Sequence, residues 1–252
     1  MSNLRLGAIA IAAVSPFFLT GSASASSITG TFNIDGTITA TLDTITWESN
    51  GAIADEATIE SAGLSGGFVG LGNTDVTIAD LANPPEVVDS TGFTPTSFVT
   101  FLGSGLPSGY TLLIDFINAG SFPSAGCTAT PAVPGQTCTP AVTGGSPFDF
   151  TNLGTPGGPV TGSAAAFAFG GTTSDGGTWT ANFTSQFNTP FQTVLAGLGS
   201  PGFSVTNSYS GTFTVTAAAV PEPNTLLFVF GGVCLLLASS RRKRSKTSAA
   251  SD

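Results

Sequence analysis

One property limits the fold of this chain more than any other: apolar residues alternate with polar ones in short runs cut by glycine and proline. In "TFNIDGTITATL" the residues Phe32, Ile34, Ile38, Ala40 and Leu42 keep one phase. Period two marks a strand with one buried face. Asp35-Gly36 inside this run has the form of a two-residue hairpin loop. A turn there would pair Ile34 with Thr37 and throw Ile38 and Leu42 to the opposite face. An unbroken strand, or one bent at Gly36, keeps them together. After Leu42 the phase changes, with Ile45 and Trp47 at odd positions, so a bulge or turn is expected near Asp43-Thr44.

The same pattern recurs in "TDVTIADL" (74–81), "SFVTFL" (97–102), "YTLLIDFI" (110–117), "SAAAFAFG" (163–170), "TWTANFTSQF" (178–187) and "FSVTNSYSGTFTVT" (203–216). Ala165, Phe167, Phe169, Trp179, Ala181, Phe183 and Phe187 alternate across a turn at Ser174-Asp175-Gly176-Gly177, and Tyr209, Phe213 and Val215 share a phase. No long 3.6-period segment lies between Ser26 and Val220. The expectation is a single all-β domain, a β-sandwich or jelly-roll-like fold. "ITGTFNIDGT" and "YSGTFTVTAA" share Gly-Thr-Phe. That fits first and last strands lying side by side, and equally a coincidence in a Gly/Thr-rich chain. "GLSGGFVGLG" (63–72) reads as loop and edge strand. From 118 to 162 the alternation lapses into a Pro/Gly-rich excursion, too long for an ordinary loop.

Charge is distributed as unevenly as hydropathy is regular. Of six Lys and Arg, Arg5 stands near the start and Arg241, Arg242, Lys243, Arg244 and Lys246 near the end, while 13 of the 15 carboxylates lie between Ser26 and Val220. A body with acids and no cations repels nucleic acid and anionic lipid. It suits divalent cations or basic partners, though the scattered acids also serve as a solubilising surface.

Both ends read as addresses. Arg5, an apolar run from Leu6 to Leu19 and the small-residue exit "GSASAS" form a secretory signal peptide, 1–25. Ala23 and Ala25 supply the A-x-A cleavage pattern. At the other end, Leu226 to Ser240 is 15 residues without charge. As a helix it spans about 22 Å, short of a roughly 30 Å hydrocarbon core. The expected transmembrane helix, 225–240, is thus a marginal anchor. The cations of 241–246 act as stop-transfer residues and hold that end in the cytoplasm, leaving the body outside. In that oxidising space Cys127 and Cys138, 11 positions apart, are expected to form a disulfide. Cys234 falls in the tail helix.

Val220-Pro221-Glu222-Pro223, the short apolar helix and the Arg-rich terminus, in that order, resemble the PEP-CTERM sorting signal, over about residues 220–246. The resemblance implies a bacterial exported protein whose tail is recognised by an exosortase, a membrane-embedded transpeptidase-like protease. Pro221, Glu222 and Pro223 match the recognised triplet, and the tail is expected to be cut near it, releasing the body to the envelope surface or an exopolysaccharide matrix. Asn224 departs mildly from the family's usual Ser or Thr. The body, 26–219, is similar in layout to uncharacterised exported members of that group. It shares a Gly-Thr strand opening, Ile45-Thr46-Trp47, a Cys-x10-Cys Pro-rich loop, and "WTANFTSQF" followed by "FQTVL". That likeness implies a shared fold and export and supplies no activity.

Several chemistries are excluded by residue type. Without His there is no Ser-His or Cys-His nucleophile. Without Lys or Arg in the body there is no Schiff base and no phosphate clamp. Carboxylate glycosidase chemistry needs no cation. Asp55, Glu56, Glu60, Asp75, Asp80, Glu86 and Asp89 are available to it, but their spacing marks no pair. Calcium as a structural ion would use the same oxygens, although the D-x-D-x-D-G loop is absent. Trp47, Trp179, Tyr110 and Tyr209 are the only platform aromatics, and Trp179 and Tyr209 share the phase of core Phe residues. The expected role is non-enzymatic, structural or interactive, without a cofactor, catalytic residue or nucleic-acid partner. The alternative is a carbohydrate-binding module associating with exopolysaccharide.

Overall fold

The computed structural model describes residues 27–41, 44–50, 53–82, 88, 92–102, 105–107, 109–199 and 203–218. They lie in one compact unit, Ser26–Ala219. Twelve strands run along it: β1 (Gly30–Ala40), β2 (Thr44–Glu48), β3 (Glu56–Ile59), β4 (Asp75–Ile78), β5 (Leu81–Ala82), β6 (Thr96–Phe101), β7 (Thr111–Ile117), β8 (Thr137–Cys138), β9 (Asp149–Gly154), β10 (Val160–Thr173), β11 (Thr178–Phe187) and β12 (Val205–Thr216). One helix, α1 (Phe191–Leu198), precedes β12.

The all-β expectation holds, and the layout differs from two separately bonded sheets. The neighbours β11-β12-β1-β3-β4-β6-β7-β10 are antiparallel, and β10 pairs back with β11, so eight strands close into a barrel. Around the barrel, β9 and β8 continue outward from β10, and β2 pairs with β1 and β5. Closure removes the open edges that an eight-stranded sheet would otherwise present.

Two long strands make this possible, each serving two partners on one edge. β1 lies along β12 on one side, from Gly30↔Val215 to Ala40↔Val205. On its other side it meets β3 at Ile34 and Asp35, then β2 from Thr37 to Ala40. The changeover falls at Gly36, where a Cβ would come 2.3 Å from the Glu48 carbonyl oxygen. The Asp35-Gly36 pair is thus a crossing of backbones within one continuous strand. β10 repeats the device: it lies along β11, and its other edge passes from β9 to β7. A register shift falls at Gly170/Gly171, where a Cβ on Gly171 would sit 1.9 Å from the Leu113 carbonyl oxygen. Only glycine admits such approaches.

Period-two patterning places the aromatic side chains inside. Phe32, Phe98, Phe169, Phe183 and Phe213 are buried with Trp47 and Trp179. Their rings pack face to face at Phe32–Phe213 (4.6 Å, 9°), Phe98–Trp179 (5.7 Å, 7°) and Phe167–Phe183 (5.1 Å, 4°). An eight-stranded barrel is just wide enough for side chains to fill, and here aromatics fill it. One end is plugged by Phe68, from a 3₁₀ turn at Gly66–Phe68, against Phe32 at 4.7 Å. The Gly-rich stretch 63–72 supplies this turn and no strand, which corrects the edge-strand expectation. At the other end a smaller core of Phe150, Ala165, Phe191, Val194 and Leu198 lies under α1.

The 118–162 excursion is more ordered than its composition suggested. It holds a 3₁₀ turn at Ser124–Thr128 and the strands β8 and β9. No helix among the described residues is long and apolar enough to cross a membrane. The expected signal peptide and tail helix lie outside the described residues.

Candidate functional site

A barrel packed with rings leaves little room inside. The cavity described between its core and α1, lined by Ile38, Phe148, Phe167, Phe187 and Val194 among others, holds about 30 Å³, roughly the space of a single water. Ligand-sized space lies on the surface. One cleft of about 440 Å³ is formed by the Gly-rich loop around Ser61, Gly63, Leu64 and Val69, with no charged or amide side chain.

A second cleft, about 310 Å³, has a more varied lining. Its floor is the outward face of two paired strands: Ala166 and Ala168 of β10 stand opposite Thr184 and Asn182 of β11. Its wall is the segment after β7, Asn118 to Ser121, together with Pro147 and Asp149. The wall is set by backbone bonds, Asn118 N–H to the Ala168 carbonyl (3.0 Å) and Gly120 N–H to that of Ser146 (2.8 Å).

Asp149 fixes the rest of that wall. Its carboxylate accepts the Ser121 N–H (2.8 Å), the Ser121 hydroxyl (2.9 Å), the Phe122 N–H (3.3 Å) and the Thr139 hydroxyl. Burial pushes this carboxyl up, but the Thr139, Ser121 and Phe122 donors outweigh it and hold it below the usual carboxylate range. It is a stable anion that shapes a loop, unsuited to be a general acid.

The other carboxylates line neither of these clefts, and Asp80 lies close enough to Asp55 for a side-chain hydrogen bond. Asp75 accepts the Thr58 hydroxyl on the outer face. Asp80 accepts the Trp47 N–H at 3.0 Å. Desolvation lifts the Asp80 carboxyl above its usual range; the Trp47 N–H opposes this, and neighbouring Asp55 and Glu48 add to it. Neither cleft includes Asp55, Asp80 or Glu48, and the one over β10 and β11 holds a single carboxylate, Asp149. Neither cleft therefore holds the two carboxyls, about 5–9 Å apart, that glycoside hydrolysis needs. Glu86 and Asp89 lie outside them. No group of three or more His, Cys, Asp or Glu suited to a metal ion occurs among the described residues.

Cys127 and Cys138 are joined, with Cα atoms 5.0 Å apart. The bridge ties the 3₁₀ turn to β8, beside a shared amide network. Asn152, on β9, donates to Gln136 (3.2 Å) and Gln192 (3.0 Å), and its Oδ1 accepts the Phe191 N–H that opens α1 (3.0 Å). Gln192 in turn donates to Gln136 (2.9 Å). Loop, strand and helix are locked as one block.

All four potential platform aromatics, Trp47, Trp179, Tyr110 and Tyr209, are buried in the barrel. A sugar platform made of them is therefore ruled out. Ala23, Ala25, Pro221, Glu222, Pro223, Arg241, Arg242, Lys243, Arg244 and Lys246 lie outside the described residues. The cleft residues Asn118, Asn182 and Thr184 were not singled out by sequence. Their signal was the polar half of the alternation in "TWTANFTSQF", which marks an outward face without saying which part of it is walled.

No family model, curated protein or solved structure matches the chain.

Proposed function

We propose that this is an exported bacterial envelope or matrix protein, delivered through a C-terminal PEP-CTERM-like signal and acting without catalysis. In this reading residues 1–25 are removed as a signal peptide. The helix 225–240 tethers the chain, and an exosortase-type protease recognises Pro221-Glu222-Pro223. The observation that carries the non-catalytic part is the barrel itself. Its interior is occupied by rings, and its chemistry is confined to a hydroxyl- and amide-bearing outer face with acids and no cations.

Two features support presentation from a tether. Gly30 pairs with Val215, so the first and last strands start and finish at one end of the barrel. The Asp175 carboxylate in the β10–β11 turn accepts the Ile28 N–H at 2.8 Å, which pins the chain's entry at that end. The disulfide fits an oxidising compartment.

The test is the intact mass of the exported form. The expected species lacks everything before Ser26 and everything after the Pro-Glu-Pro region. Replacing Pro221, Glu222 and Pro223 with alanine should leave the tail attached. An exported form that retains Cys234 and the following arginines in the wild type overturns the sorting half of the proposal. The second half is tested by retention on native extracellular matrix, and free elution of the wild type overturns it.

A further inference from the structure

We infer that the cleft over β10 and β11 is a binding site for one sugar unit of a neutral, uncharged glycan. This rests on the reading of the outer face as the contact surface and names its site and ligand class.

The floor has the right size and texture. Paired strands lie about 4.8 Å apart and same-face residues about 6.7 Å apart along a strand. The patch made by Ala166, Ala168, Asn182 and Thr184 is therefore close to the footprint of a pyranose ring. The two alanine methyls form a shallow apolar strip on one strand, suited to the C–H face of a sugar. On the adjacent strand Asn182 and Thr184 offer an amide and a hydroxyl. Asn118 offers a second amide from the wall.

These three side chains are unspent. Asn118, Asn182 and Thr184 make no side-chain hydrogen bond to another described residue, whereas Ser121 is engaged with Asp149. An amide is donor and acceptor at once, which matches a hydroxyl pair on adjacent sugar carbons. The wall does not have to form on binding. Three hydrogen bonds to Asp149, from the Ser121 N–H and hydroxyl and the Phe122 N–H, hold the Ser121–Phe122 segment in place beforehand, which lowers the ordering cost of association.

Charge then selects within the class. The body carries 13 carboxylates and no Lys or Arg, and one of those carboxylates stands in the cleft wall. A uronate, sulfated or phosphorylated sugar would meet an unopposed anion. A neutral hexose or N-acetylhexosamine would not.

The full chain, purified in a non-glycosidic detergent, is titrated calorimetrically with neutral hexose tetramers, N-acetylhexosamine tetramers and oligouronate tetramers. Binding of either neutral probe, with no heat from the oligouronate, is the expected result. Ala166→Phe, which fills the floor from an exposed position, and Asn182→Ala, which removes the amide with little risk to folding, should each weaken binding at least about tenfold, or 1.4 kcal/mol. Thr214→Ala, on the same barrel face outside the cleft, should leave it within about twofold. Absence of binding by both neutral probes, equal binding of the oligouronate, or wild-type affinity in both cleft variants overturns the inference. If the cleft variants bind no sugar differently yet the wild type is still held on matrix, the site is wrong and the matrix role stands. If sugars bind as expected and matrix retention fails, the reverse holds.

Discussion

The Trp47 indole stands edge-on to the Tyr209 ring, centroids 4.9 Å apart at 75°, and neither the indole Nε1 nor the phenol oxygen has a hydrogen-bond partner among the described residues. Burial pushes the Tyr209 phenol well above its ordinary range, with nearby Asp35 adding to it. Trp179 differs: its Nε1 donates to the carbonyls of Leu113 (2.9 Å) and Thr172 (3.1 Å). The barrel thus contains one indole that is anchored and one that is held by packing alone.

That contrast sets the first prediction. Tyr209→Phe keeps the ring and deletes an unpaired buried hydroxyl, so stability should be unchanged or rise by up to about 1 kcal/mol. Trp179→Phe leaves a void and removes the donor to two carbonyls, and should cost about 2–4 kcal/mol. Urea denaturation followed by circular dichroism checks both, and a large loss for Tyr209→Phe would contradict the assignment.

Glycine substitutions separate backbone crossings from ordinary positions. Gly36→Ala and Gly171→Ala drive a methyl into a carbonyl oxygen of a neighbouring strand and should each cost about 2–3 kcal/mol. Gly197→Ala, in α1 with nothing beyond its chain neighbours and the helix's own backbone within 4 Å of the new methyl, should stabilise by about 0.5 kcal/mol. Thermal midpoints of the three variants give the comparison.

Reduction of the Cys127–Cys138 bridge frees a loop closed over a separation of 11 residues. The expected loss for a double Cys→Ser variant is about 3 kcal/mol. Because the bridge adjoins the Asn152–Gln192 network, hydrogen exchange should rise first in α1 and β8 and last in β1 and β12. Uniform exchange across the domain would contradict this.

Acid should destabilise the domain through Asp149 and Asp175. Burial raises the Asp175 carboxyl, but bonds from the Thr173 hydroxyl and the Ile28 and Gly177 N–H groups leave it below the usual aspartate value. Both folded values lie below the unfolded ones. The stabilisation is therefore fully present above the ordinary aspartate value of 3.8 and is lost as pH falls through the lowered folded values. Asp80 and Asp115 act oppositely, since desolvation raises both and protonation relieves them. Asp149→Asn and Asp175→Asn should flatten the acid limb of a midpoint-against-pH curve, and Asp80→Asn should raise the midpoint at neutral pH by about 1–2 °C.

Much of the strand pattern was legible because it is local. The unbroken β1 followed from keeping Ile34 and Ile38 on one face, and β11 runs over the residues expected, Thr178–Phe187. The adjacency of first and last strands, left open by sequence, is realised over the whole length of β1. What escaped was short or non-local. β9 carries a buried Asn152 where alternation calls for an apolar residue, and that asparagine serves α1. α1 spaces Phe191, Val194 and Leu198 as a helix should, but over only eight residues. Barrel closure depends on β10 meeting β11 while β11 meets β12, a relation between pairings that no single window contains. The cleft was hidden for the same reason: its wall, from Asn118–Ser121 and Pro147–Asp149, and its floor, from β10 and β11, come from separate stretches of chain.

The position of β12 between β1 and β11 has a consequence for biogenesis. It is the last of the described strands to be synthesised, and it is also the stave that seals the cask. Until Val205–Thr216 arrives, β1 and β11 each expose a naked row of amides and carbonyls on the side it will occupy. A product truncated before Val205 keeps both rows bare and is primed to recruit strands from other molecules. Completing the barrel and silencing its stickiness are therefore one event.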